Sequence, residues 1–175
     1  MPVVAVKSRS MEALTHPLRF DKAGRFVMPL AVKCDDYLFC VTSQHVRPHL
    51  CLIGKSRWEE IEHCLQKVRG SWPEGTDFDE FSRTAEAIFP DEKKRWRLPR
   101  PLLILADVGT LGVLRACPDR MEIWGVEAYE LFKTRELAPR NATPGSQSAG
   151  DKDYEAMLRS LPLTARELEV IRIVL

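Results

Sequence analysis

The sequence predicts an α+β fold made from one supersecondary unit used twice, and three observations predict it. The stretches "DKAGRFVMP" and "DEKKRWRLP" align Asp21 with Asp91, Arg25 with Arg95 and Pro29 with Pro99, each pair 70 positions apart, with an aromatic after each Arg and an apolar residue before each Pro. Short apolar runs of strand length follow each copy, and a longer segment with helical spacing follows those. A repeat of this period marks a module that cannot bury its own core alone. With 175 residues and 45% apolar content, the chain can bury a sizeable core as one compact domain or two small ones.

In the first copy, residues 18–20 and 26–28 read as two short strands around a turn that contains Gly24, which predicts a hairpin. Pro29 suits the first turn of a short helix over 30–33, where its missing N–H costs nothing. "DYLFCVTS" and "LCLIG" predict strands, with His45 to His49 in a polar loop between them. From Lys55 the apolar residues Trp58, Ile61, Leu65 and Val68 recur at steps of three and four, with Glu59, Glu60, Glu62 and Lys67 on the other face. That spacing predicts an amphipathic helix. "GSWPEG" ends it, and Phe78, Phe81, Ala85 and Ile88 suggest a second helix before Pro90.

The second copy restarts with a hairpin around Asp91 to Arg95. It continues with the Pro-initiated "PRPLLIL", strands in "GVLRA" and "MEIWG", and a helix over 126–137. Residues 141–150 then have linker composition. The expected organisation is a first repeat over 16–70, a second over 77–138, a linker over 139–160 and a C-terminal amphipathic helix over 161–175.

Composition excludes several classes. Lys+Arg at 26 against Asp+Glu at 25 leaves a formal net charge of +1, so no whole-chain basicity advertises a polyanion, and any such signal is local. Nothing approaches the roughly 18 uninterrupted apolar residues of a membrane span, and "MPVVAVKSRS" is too short and polar for a secretory core. Five cysteines without a CxxC pair suit a reducing compartment. The expected location is cytoplasmic.

The segments "RFDKAGRFVMP", "LCLIGKSRWEEIE", "FPDEKKRWRLP" and "RMEIWGVEAYE", in that order, resemble the MraZ family of bacterial transcriptional regulators over residues 18–137. The resemblance implies a duplicated swapped-hairpin, AbrB-like β-barrel core with flanking amphipathic helices, each half carrying an Asp-x-x-x-Arg motif. It further implies a nucleoid-associated ring of identical subunits that binds double-stranded DNA at direct repeats in the promoter of a division and cell-wall gene cluster. No cofactor is required.

The residues support two readings of the motif. An Asp opening a turn accepts hydrogen bonds from turn N–H groups, and an Arg closing it either pairs with that Asp or reaches a phosphate or guanine edge. Under the first reading Asp21 with Arg25 and Asp91 with Arg95 only fix their turns. Under the second, Arg25 and Arg95 are the main DNA contacts, Asp21 and Asp91 orient them, and Lys22, Lys93, Lys94 and Arg97 supply surrounding charge. Five cations between positions 93 and 100, counting Arg95 and Arg100, are a local cluster in a chain of near-zero net charge.

Three positions depart from the family pattern. Lys94 stands where the first turn has Gly24, so either the second turn has another shape or a lysine accepts a glycine's backbone. Arg97 replaces the apolar residue seen as Val27, and Leu103 stands where the family usually has an Arg. The opening "MPVVAVKSRSMEALTH" does not match the family's.

Other constellations carry less. His45, His49 and Cys51, with His63 and Cys64, invite a metal reading, but their spacing matches no zinc module. Nothing places a base beside a cysteine, and there is no phosphate-cradling glycine loop or Gly-x-Ser-x-Gly elbow, so no enzyme activity is expected. Trp58, Trp96 and Trp124 are expected in the core, although Trp96 lies beside the motif and could stack on a base.

In "LPLTARELEVIRIVL", Thr164 and Glu167 form a capping-box signature, and Leu168, Ile171, Val174 and Leu175 make one apolar face. The string resembles the opening helix of LuxR-type helix-turn-helix domains over about fifteen residues, with no recognition helix behind it. Its apolar face is expected on the body, on a neighbouring subunit or on another protein, unless the chain is a truncated form of something longer. The competing functional reading is an oligomeric scaffold whose hairpins only build the ring and whose C-terminal helix binds a protein partner.

Overall fold

A computed structural model of the chain describes residues 14–43, 48–68, 85–137, 156 and 159–171. The strands are β1 (Leu14–Arg19), β2 (Arg25–Val27), β3 (Leu38–Ser43), β4 (His49–Gly54), β5 (Glu86–Ile88), β6 (Arg95–Arg97), β7 (Leu111–Ala116) and β8 (Met121–Gly125). The helices are α1 (Lys55–Val68), α2 (Arg100–Leu105), α3 (Val126–Leu137) and α4 (Ala165–Ile171). The fold is α+β, as expected.

Six strands form one antiparallel sheet in the order β1-β7-β8-β4-β3-β5, and β2 pairs with β6 in a separate two-stranded ribbon. The expected closed barrel is corrected to an open sheet with a ribbon across one face. Its edges are blunted: β1 carries Pro17, and β5 is three residues long and runs into Pro90.

The order is symmetric in terms of the duplicated unit. β1 corresponds to β5, β3 to β7 and β4 to β8, with β4 and β8 at the centre in a register that puts Cys51 opposite Glu122. The ribbon is centred on Phe26 opposite Trp96, which are the equivalent aromatics of the two copies. A pseudo-twofold axis therefore passes through both pairs.

This arrangement corrects the two expected hairpins. β1 pairs with β7 and β5 with β3, so the first strand of each copy lies in the other copy's half of the sheet. Neither β1 and β2 nor β5 and β6 form a ladder, because each finds its partner in the opposite repeat; only an isolated Pro90–Trp96 bridge is local. Interlocking of this kind explains why one copy cannot bury its core alone.

Two apolar clusters fill the layers. One joins the ribbon to the sheet through Phe26, Trp96, Leu98, Leu50, Leu52 and Ile123, among others. The other joins the opposite sheet face (Val41, Cys51, Ile53) to α1 (Trp58, Ile61, Leu65) and α4 (Val170, Ile171). Each fully buried side chain of this size is worth about 1.5–3 kcal/mol relative to exposure.

The predicted face of α1 is the buried one, and Asp35 takes up its first turn by accepting from the Lys55 N–H at 3.1 Å. A carboxylate there also complements the helix dipole. The α2, α3, β3, β7 and β8 expectations hold, with Pro99 and Pro101 at the start of α2. Around Pro29 a single turn closes from the Val32 N–H to the Pro29 carbonyl, rather than a helix. Residues 86–88 form β5 instead of ending a helix, because they complete the edge of the sheet against Leu38–Cys40; Phe78 and Phe81 lie outside the described residues. His49 opens β4 rather than sitting in a loop, while His45 and the 141–150 stretch lie outside the described residues.

The C-terminal helix docks on the body. Thr164 and Glu167 form the reciprocal capping box, with Thr164 N–H donating to Glu167 Oε2 at 2.8 Å and Glu167 N–H donating to Thr164 Oγ1 at 3.3 Å. Lys67 of α1 also pairs with Glu167. Val174 and Leu175 lie outside the described residues.

Candidate nucleic-acid interface

The two turns are built alike. Asp21 Oδ1 accepts from the N–H groups of Ala23 (2.8 Å) and Arg25 (3.0 Å), and Asp91 Oδ1 accepts from those of Lys93 (2.9 Å) and Arg95 (2.9 Å). The backbone closes each turn twice: the Asp N–H donates to the Arg carbonyl, and the N–H of position 24 or 94 donates to the Asp carbonyl. The second oxygen of each Asp then takes the Arg side chain. Arg25 Nε donates to Asp21 Oδ2 at 2.7 Å, and Arg95 Nε and Nη2 both reach Asp91 Oδ2, at 2.8 and 2.7 Å.

These bonds favour the charged forms. Hydrogen bonds from Arg95 hold the Asp91 carboxyl down at about 2, and the Arg25 N–H leads the causes that hold Asp21 below its ordinary value. The Arg95 guanidinium is correspondingly raised by its bond to Asp91. The side chains of Arg25 and Arg95 are still 37% and 32% exposed. A guanidinium has five N–H donors, so engagement through Nε and Nη2 leaves the far edge of Arg95 pointing away from Asp91.

Gly24 has φ +74°, and a Cβ there would stand 2.9 Å from the Leu98 carbonyl and 3.0 Å from Leu103. The Leu98 N–H donates to the Gly24 carbonyl at 3.0 Å, which ties the first turn to the second repeat. Lys94 adopts the same left-handed region at φ 58°. The second turn therefore has the glycine-type shape without the glycine. Leu103, the departure in α2, is buried against the first turn.

The ribbon splits these residues between two faces. Phe26 and Trp96 point into the core, at 2% and 4% exposure. Their neighbours Arg25, Val27, Arg95 and Arg97 alternate to the outer face, where register sets Arg25 opposite Arg97 and Val27 opposite Arg95. Lys22, Lys93, Lys94 and Arg100 are exposed on the adjoining turns and on α2. A groove of about 970 Å³ is lined by residues of the first turn, β5 and α2, with Lys22, Arg97 and Arg100 among them.

All three tryptophans weighed above are buried, so base stacking by Trp96 would require the core to open. His49 is buried with its ring stacked on Trp124 at 4.0 Å. Among the described residues, no three His, Cys, Asp or Glu side chains are grouped as a metal site. Burial pushes the Cys51 thiol up to about 12 and Cys117 to about 11, leaving little thiolate at neutral pH.

Sequence reasoning missed a buried ionic cluster on the opposite face of the sheet. Glu122 accepts from Arg120 Nε (2.9 Å), Arg115 Nη1 (3.1 Å) and Trp124 Nε1 (3.1 Å). Burial raises its pKa, but Arg120, His49, Arg115 and the Trp124 N–H together bring it below the ordinary value. The available signal was a carboxylate at the centre of the otherwise apolar strand "MEIWG".

No protein-family model matches the chain. No curated protein matches it either.

Proposed function

We propose that the chain is a sequence-specific, DNA-binding transcriptional regulator of the MraZ type. It acts as a ring oligomer on direct repeats in the promoter of a division and cell-wall gene cluster. The exchange of first strands between repeats fits the swapped-hairpin, AbrB-like plan that this reading assumes. The observation that carries the reading is the outer face of the ribbon, where Arg25, Arg95 and Arg97 lie together with exposed lysines at both ends.

In this reading Asp21 and Asp91 hold their arginines in a fixed orientation, and the free guanidinium edge meets a phosphate or a guanine. Since each Asp offsets its Arg, the attraction for the polyanion comes mainly from Lys22, Lys93, Lys94, Arg97 and Arg100. Each neutralised phosphate releases counterions, so log K falls with log salt by about 0.9 per phosphate contact. One subunit binds weakly, and repetition around a ring supplies avidity on repeated sites.

The test compares a direct-repeat promoter duplex with a random duplex across a salt series, using the wild type and the double charge reversal Arg25→Glu with Arg95→Glu. Preference for the promoter, lost in the variant while the fold persists by circular dichroism, supports the regulator. Equal binding of both duplexes, unchanged by charge reversal, leaves the scaffold reading.

A further inference from the structure

We infer that the second turn is the phosphate-anchoring end of the ribbon, and that Lys94 keeps a left-handed backbone to serve it. This rests on the nucleic-acid reading above and narrows it to one end of a pseudo-symmetric element.

The argument begins with the 70-residue correspondence. Ala23, Gly24, Val27 and Leu30 of the first repeat correspond to Lys93, Lys94, Arg97 and Arg100 of the second. Three exchanges run the other way, with Arg19, Lys22 and Lys33 corresponding to Phe89, Glu92 and Leu103. Of the first-repeat group, Val27 is 62% exposed and Leu30 is fully exposed. Their counterparts Arg97 and Arg100 are exposed as well. The two ends thus share a backbone shape but differ in charge at every one of these four positions.

The cationic end also carries two local costs that the other end lacks. A lysine at φ 58° holds a conformation that Gly24 adopts without penalty. Arg97 lies directly opposite Arg25 across the ladder, and like charges in that position destabilise a strand pair. Neither cost is offset by burial, since Lys94 and Arg97 are both exposed. Both are offset when a polyanion lies on this face. Strain and like-charge crowding at one surface point to a ligand of opposite charge.

The selectivity of the first turn is different in kind. Its glycine is required by contact with Leu98 and Leu103, and beside the exposed Lys22 it presents the apolar Val27 and Leu30 where the second end has arginines. The ribbon therefore seats its second-repeat end on the phosphate backbone, and each subunit takes one orientation on the duplex instead of two equivalent ones.

The experiment measures the salt slope of binding between about 50 and 200 mM to a random-sequence duplex and to a direct-repeat promoter duplex, for the wild type, Lys94→Gly and Lys22→Ala. Lys94→Gly is expected to make the slope shallower by about 1 on both duplexes. At the same time it raises Tm by about 2–4 °C through relief of the backbone. Lys22→Ala is expected to make the slope shallower by less than Lys94→Gly does, because Lys22 stands at the end of the ribbon that does not anchor the phosphate backbone. An unaltered slope in Lys94→Gly, or an equal loss in Lys22→Ala, overturns the assignment of the anchoring end while leaving DNA binding intact. A wild type without salt-dependent binding to either duplex instead removes the nucleic-acid reading itself.

Discussion

Phe26 and Trp96 lie directly opposite each other at the middle of the ribbon, both buried, although 70 residues separate them. Each is the other's equivalent in the duplicated unit, so a single contact on the pseudo-twofold axis serves both repeats. Truncation there removes core from both halves at once. Phe26→Ala and Trp96→Ala are each expected to cost about 3–5 kcal/mol. Urea unfolding should remain one transition with a lowered midpoint. Two separated transitions would show that the repeats fold independently.

Gly24 makes a sharper case than its counterpart. Gly24→Ala places a methyl 2.9 Å from the Leu98 carbonyl in a left-handed turn, and the expected loss is about 2 kcal/mol or more. The Leu98–Gly24 hydrogen bond stretches in response, so amide exchange at Leu98 should accelerate along with the drop in Tm.

The Asp91–Arg95 pair predicts a pH window. The folded Asp91 carboxyl is held at about 2, against an ordinary 3.8. A depressed folded pKa means that the unfolded chain takes up the proton first as pH falls. The contribution is therefore fully present above about pH 4 and lost as pH drops through about 2. Asp91→Asn removes it, so the stability difference between wild type and variant should be constant near neutral pH and shrink across that interval. A difference that stays constant down to pH 2 would contradict the pairing.

Glu122 is buried among Arg115, Arg120 and Trp124. Its removal takes away the buried carboxylate that Arg115, Arg120 and the Trp124 indole N–H share, although Arg120 keeps its bond to Asp119. Glu122→Ala is expected to cost about 3–5 kcal/mol. Glu122→Leu should fare little better, because the arginines remain. Calorimetry on both variants tests whether charge loss, rather than cavity formation, sets the cost.

The difference between what the sequence disclosed and what it concealed follows from the range of the interactions. The α1 face was legible because Trp58, Ile61, Leu65 and Val68 lie within a few turns of each other and report one buried stripe. The Thr164–Glu167 box was legible for the same local reason. The motif turns were legible as turns, since Asp21 and Asp91 bond to residues two to four positions on. Strand partners were not: β1 and β2 sit beside each other in the chain and read as a hairpin, yet each pairs with the other repeat. Nothing in an alternating apolar pattern records which ladder it will join. Glu86 to Ile88 was misread because Ile88 falls at a helical step from Ala85, and only the free edge of β3 selects the extended form. At the site, residue identity was legible but its balance was not. The sequence cannot distinguish the half-buried, Asp-bound Arg95 from the exposed Arg97 two positions later.

Glu167 ties together three elements that respond differently to its loss. Its carboxylate accepts from the Thr164 N–H and hydroxyl and from Lys67 of α1, and the bond from Lys67 leads the causes that hold it at about 2. Glu167→Ala removes the carboxylate half of the capping box and the tether together, whereas Lys67→Ala removes the tether alone. Loss of a helix cap costs about 1 kcal/mol, and an exposed ion pair contributes less than that. Since α4 is seven residues long and depends on docking, these losses favour local opening over global unfolding. Hydrogen exchange should therefore speed up in α4 in Glu167→Ala, more than in Lys67→Ala, while the amides of β4 and β8 keep their protection. Parallel acceleration in the central strands would mean that the C-terminal helix is an integral part of the core rather than an element docked onto it.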